Sequence, residues 1–232
     1  MATTPRRFVH VPAPAHLVAA LCCALAGEGR AAGGHFAVDD ATVLDPGQCQ
    51  VETWVERHAA AGTLTHVGPG CRAGPVELAL NADHLRGESS TTLVGPQVKW
   101  VGAIDERMSV GVVALAGWSG HADRYANAAL YAIGTVRLAD GVWLHVNGGR
   151  DWYAELPPTS RAGVSLEWQA TPAWSLIGEG YRQSGANVGR VGVRWQASSA
   201  VSIDLSRAWA GSTMIAPWWT AGVNWSFGPW SR

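Results

Sequence analysis

The chain has 232 residues, enough for one large all-β domain or two small ones. Only 15% of them are charged, and 17 basic residues nearly balance 18 acidic ones, which gives no support for a nucleic-acid or polyanionic partner. Mean hydropathy is near zero and no apolar run is long enough for a spanning helix, whereas 28 glycines and 13 tryptophans with low charge suit strands that are apolar on one face and aromatic at their ends.

At the N-terminus, Arg6 and Arg7 precede a short apolar stretch from Leu17 to Ala26, followed by small residues. Residues 1–31 therefore read as a secretion signal cleaved after Ala26 or Ala31; a short helix that stays attached is the alternative. Cys22 and Cys23 lack the small preceding residue that lipidation wants. Cleavage leaves Cys49 and Cys71 as the only cysteines of an exported chain, which points to one disulfide. Residues 32–47 are polar and Gly-rich and read as a periplasmic N-terminal segment.

From Phe36 through Ala-Val-Asp-Asp-Ala-Thr-Val-Leu-Asp-Pro-Gly-Gln-Cys-Gln-Val to Glu52, the chain runs straight into a first strand. This stretch resembles the start of mature proteobacterial outer-membrane proteins, including the group named for the meta pathway of phenol degradation. The resemblance implies a small transporter-like barrel passing small solutes, hydrophobic or aromatic ones among them, and it carries no catalytic residues. The cysteine pair and the extension after Phe227 depart from it.

Twelve strand-like runs follow, over about 48–58, 63–73, 76–84, 92–103, 108–118, 125–138, 142–153, 161–170, 174–184, 188–197, 201–209 and 217–227. Most have the length that a tilted strand needs to cross a bilayer, and the even number suits a single-chain bacterial barrel. Every second connection is tight: Gly74-Pro75, Ile104 to Arg107, Ala139 to Gly141, Thr171 to Ala173 and Ser198 to Ala200. The intervening ones are generally longer and more polar, although Ala59 to Gly62 is short. That alternation is expected of short periplasmic turns and longer outer loops. The fold class is thus an all-β, closed antiparallel transmembrane barrel of about twelve strands over residues 48–227, with 228–232 as a C-terminal extension. A soluble periplasmic β-sandwich is the competing architecture.

The period-two pattern assigns faces. Val76, Leu78 and Leu80 point to lipid, with Glu77, Asn81 and Asp83 to the lumen. The run 201–209 breaks at Arg207, which suggests a bulge or a rim position. The run 174–184 is ambiguous, because Ile177 and Glu179 share a parity. In 217–227, Trp219, Ala221, Val223, Trp225 and Phe227 form a greasy face.

Two kinds of site follow. The first hairpin turns near residue 60, so a symmetric register sets Cys49 opposite Cys71 at the periplasmic end. Opposed positions lie about 4.5–5.5 Å apart, within disulfide range. Lumen charges are expected at Glu52, Glu56, Glu77, Lys99, Arg137, Glu167, Glu179, Arg190, Arg194 and Asp204, with Arg150 a further candidate. They could form a charged constriction or a salt-bridged plug that closes the barrel. An aromatic girdle is expected from Trp168, Trp195, Trp218, Trp219, Trp225 and Phe227.

No cofactor, metal or catalytic residue is expected. The histidines lack metal spacing, and no phosphate loop or dinucleotide fingerprint occurs. His145-Val-Asn-Gly-Gly149 resembles an outer-membrane phospholipase motif, but Asn147 stands where the nucleophilic serine belongs. The expected role is passage of small solutes across the outer membrane of a Gram-negative bacterium, with outer-membrane lipid and the assembly machinery as partners. A closed structural barrel is the alternative.

Overall fold

The structure is a computed structural model and describes residues 35–58, 62–88, 90–120, 124–211 and 216–228. Residues 1–31, which the sequence reads as a signal, and the last four residues lie outside them.

Twelve strands form one closed antiparallel barrel. In chain order they are β1 (Cys49–His58), β2 (Gly62–Ala73), β3 (Val76–Arg86), β4 (Ser90–Ala103), β5 (Met108–Ser119), β6 (Arg124–Ala139), β7 (Val142–Tyr153), β8 (Thr159–Thr171), β9 (Trp174–Gln183), β10 (Ala186–Gln196), β11 (Val201–Ala210) and β12 (Trp218–Phe227). Each strand pairs with its sequence neighbours, and β12 returns to pair with β1 from Cys49↔Phe227 to Arg57↔Trp219. Closure leaves no free edge, which is what a membrane demands of a sheet. A sandwich would not close in this way.

The tight turns gather at the end that carries Cys49 and Phe227, which is therefore the periplasmic end. Gly141 follows Asp140 there with φ 72°, a left-handed conformation that glycine adopts without strain. At the opposite end, β9 and β10 join through Ser184 (φ 51°) and Gly185 (φ 82°), so this outer connection is also tight.

The exterior is apolar. Leu80, Val164, Leu166, Val191 and Leu205 are all exposed on the outer face. Trp100, Trp168, Trp174, Trp195, Trp225 and Phe227 ring its periplasmic end, and Trp118, Tyr125, Trp152, Trp209 and Trp219 ring the other. Two aromatic belts around an apolar band are the surface of a barrel in the outer membrane.

Two face assignments need correction. Trp218 is buried and stacks on His58 with ring centroids 4.8 Å apart, because it shares the lumenal parity of Thr220 and Asn224. Arg150 is exposed on the outer wall, since the odd residues His145, Asn147 and Asp151 are the ones buried in β7. Arg207 keeps its register with Trp219 and faces out at the rim without a bulge.

Candidate functional site

Cys49 and Cys71 are register partners and form a disulfide, with Cα atoms 4.0 Å apart, at the periplasmic end of the β1–β2 hairpin.

The lumen holds the candidate site, and it is occupied. Residues 35–44, expected in the periplasm, lie inside the barrel instead and follow its inner wall almost all the way round. The sequence explains why. Phe36, Ala37, Val38 and Ala41 are apolar and bury themselves, while the peptide groups between them need partners away from water. The wall supplies those partners from strand after strand.

The His35 carbonyl accepts from Arg190 of β10, and its imidazole bonds the Ser206 hydroxyl of β11. Glu179 of β9 accepts the Ala37 and Val38 N–H groups at 3.1 and 3.0 Å. Tyr131 of β6 donates to the Asp39 carboxylate at 2.6 Å, and Thr135 accepts the Ala41 N–H at 2.7 Å. Asn147 of β7, its amide set to satisfy its neighbours, bonds both backbone groups of Asp39. Ser109 of β5 donates to the Ala41 carbonyl, and Lys99 of β4 meets Asp40 at 3.2 Å. Finally Glu77 of β3 accepts the Leu44 N–H, and Arg72 of β2 donates to the Leu44 carbonyl.

The apolar contacts resolve the ambiguity of β9. Ile177 faces the lumen beside Glu179 because Phe36 packs on it. Tyr181 packs on Ala37 and Val38. Ala41 packs into Val113, Ala129, Tyr131 and Ile133.

The lumen charges are paired. Arg190 is fully buried, 3.2 Å from Glu56 and 3.6 Å from Glu179. Glu56 also takes bonds from Thr220 and His58. Arg194 forks onto Asp204 at 2.8 and 3.1 Å, with its guanidinium 5.7 Å from the Phe36 ring centroid. A buried charge left alone would be prohibitively costly, so these pairs and their hydrogen bonds hold one arrangement. Glu52 lies buried beside Gln50, which also reaches Glu77. Glu167 stands 3.7 Å from His145.

Arg137 does not join this cluster: it is exposed at the periplasmic mouth and pairs with Asp140 at 2.6 Å. There it borders a cavity of about 470 Å³ shared with Asp40, Thr42, His145, Glu167 and Arg194.

Several residues of the site went unforeseen: Asp39, Asp40, Arg72, Tyr131 and Asp151, which pairs at 2.9 Å with the inward-facing Arg161. One sequence signal could have found the docked segment. β5, β6 and β9 place Val113, Ala129, Tyr131, Ile133 and Ile177 on what should be a wet polar face. Apolar side chains there imply that something packs inside.

The arrangement can act as a closure. A twelve-stranded wall encloses more space than its own side chains fill, and a segment of the same chain takes up the middle. Its bonds are to wall side chains rather than to a wall backbone edge, so it can leave without unpairing a strand.

Comparisons with known proteins agree on the fold. The KdgM porin superposes with a TM-score of 0.66 at 9% identity, over 77% of this chain and 99% of its own. The NanC porin gives 0.60 at 8% identity, over 76% and 98%. The COG4313 outer-membrane channel from Pseudomonas putida F1 gives 0.59 at 11% identity, over 81% and 98%. Among curated proteins, no sequence matches. A family model, not that of the phenol-degradation group, matches residues 20–227, and the chain belongs to that family, described as "Uncharacterised conserved protein UCP029691".

Proposed function

We propose that the protein is an outer-membrane channel for small polar solutes, held shut by its own residues 35–44. One observation carries this reading: the occluding segment is built from the chain itself and is held by side chains of nine different strands, from Arg72 on β2 to Ser206 on β11. A barrel that needed only to be closed could fill its lumen from the wall. A tethered segment is what a barrel needs if it is also to open.

The lining argues for polar solutes. Once the segment leaves, Glu56, Glu179, Arg190, Arg194 and Asp204 line the path and become hydrated. Hydrophobic or aromatic solutes, which the phenol-degradation resemblance implies, would have to cross that charged ring. The second reading, a barrel permanently closed for structural reasons, draws support from the burial of the Arg190–Glu56–Glu179 cluster.

Liposome swelling with the refolded protein separates the two. A channel held shut admits sugars and amino acids slowly, and faster when Glu179 is replaced by Gln. Equal and negligible swelling for both proteins would favour the structural barrel.

A further inference from the structure

Charge on the outer wall has one sign. Along the described strands, every Asp and Glu faces the lumen. Five arginines face outward and are exposed: Arg57 on β1, Arg86 on β3, Arg150 on β7, Arg182 on β9 and Arg207 on β11. Each lies within the last four residues of an odd-numbered strand, so all five stand at the outer end of the barrel. Arg124, at the tip of β6, is different: it is 3.9 Å from Glu155 of the following outer loop.

Three of the five lie in one row across the seam where the barrel closes. Arg57 pairs in register with Trp219 of β12, and Trp219 with Arg207 of β11. On the other side Arg57 pairs with Thr63 of β2, and Thr63 with Arg86 of β3. Arg207 lies over the Trp219 ring, 5.1 Å from its centroid. Two residues further into the membrane the same face carries Val55, Ala221 and Leu205, also in register. The guanidinium groups therefore stand directly above the hydrocarbon band, at headgroup depth, with Trp219 marking the boundary. Strand spacing puts the Cα atoms of Arg57 and Arg207 roughly 10 Å apart. Their long side chains can converge on one anionic group, and the planar fork suits a phosphate.

We propose that Arg57, Arg86 and Arg207, with Trp219, bind the phosphate of a phosphorylated glycolipid in the outer leaflet. Outward-facing carboxylates are lacking on the described strands, so the counter-charge comes from the surrounding lipid. The apolar band below the row receives the acyl chains, which a soluble anion would not use.

The test is native mass spectrometry of the refolded full chain in neutral detergent, titrated with lipid A, with dephosphorylated lipid A, and with lipid A plus millimolar inorganic phosphate. The parent retains lipid A, loses most of that affinity for the dephosphorylated form, and is not stripped by inorganic phosphate. R57Q/R207Q binds lipid A roughly thirtyfold more weakly. R150Q/R182Q, altered on β7 and β9 outside that row, stays near the parent. R57K/R207K, which keeps the charge and loses the fork, falls between and serves as the reading if the glutamine variant does not fold. Equal lipid A binding by the parent and both substituted pairs at 57 and 207 would overturn the proposal. So would equal binding of the dephosphorylated lipid, or displacement by inorganic phosphate.

Discussion

Glu179 and Arg190 are cross-strand partners on β9 and β10, 3.6 Å apart, and between them they grip three residues of the N-terminal segment. The carboxylate takes the N–H groups of Ala37 and Val38, while the guanidinium donates to the carbonyl of His35. A pair that only filled the lumen would satisfy itself. This one spends its hydrogen bonds on a peptide that does not belong to the wall.

Glu179→Gln removes the negative charge and one of the two acceptors. Charge-assisted bonds of this kind contribute about 1.5–3 kcal/mol each. The docked-to-released ratio should therefore fall roughly tenfold to a hundredfold. Planar-bilayer recording should show longer open times with an unchanged conductance per opening. A changed conductance with unchanged open times would mean that Glu179 shapes the pore and not the closure.

Phe36→Ala leaves that polar grip in place and removes the apolar contact with Ile177. Losing a buried phenyl costs about 3–5 kcal/mol. The variant should open at least as often as Glu179→Gln, and the barrel should keep its heat-dependent gel shift, because no wall side chain has changed. Loss of the shift would show that docking of the segment is required for the wall to form.

Cys49–Cys71 joins β1 to β2 over a sequence separation of 22. Replacing both cysteines with Ser should cost about 3 kcal/mol by chain entropy and lower the urea midpoint of the refolded barrel. Reductant should lower the parent's midpoint to the same value. A midpoint indifferent to both would mean that the β1–β2 ladder already fixes this hairpin in the unfolded ensemble.

The closing strand makes a separate test. Phe227 pairs with Cys49, is outward-facing and packs on Trp225 at 5.0 Å between ring centroids. We propose that the assembly machinery reads the strand as ending there. Phe227→Ala should lower the folded fraction in cells more than deletion of residues 228–232. The reverse order would place the signal in the last five residues.

The wall was legible in the sequence and its contents were not, for a physical reason. Lipid forces a strict alternation on every strand, so Val76, Leu78 and Leu80 declare one face, and Glu77, Asn81 and Asp83 the other. Turn lengths then gave the order, and the hairpin centre near residue 60 gave Cys49 opposite Cys71. The lumen imposes no such period. Residues 35–44 have no repeat of their own, because successive residues meet successive strands, and a short stretch flanked by Gly33, Gly34 and Gly47 with Asp39 and Asp40 inside it reads as solvated wherever it lies. Ile177 and Tyr131 were the exceptions that marked it. Trp218 was misplaced because a girdle is inferred from nearness to a strand end, whereas parity with Thr220 decides the face.

Conductance of the barrel lacking residues 35–44 tests the central claim most directly. Refolded protein with an intact gel shift should show steady ionic current in a planar bilayer, where the parent shows brief openings from a closed baseline. Adding the excised peptide from the periplasmic side should restore the closed baseline. A folded variant as silent as the parent would contradict the account, because the wall itself would then close the lumen.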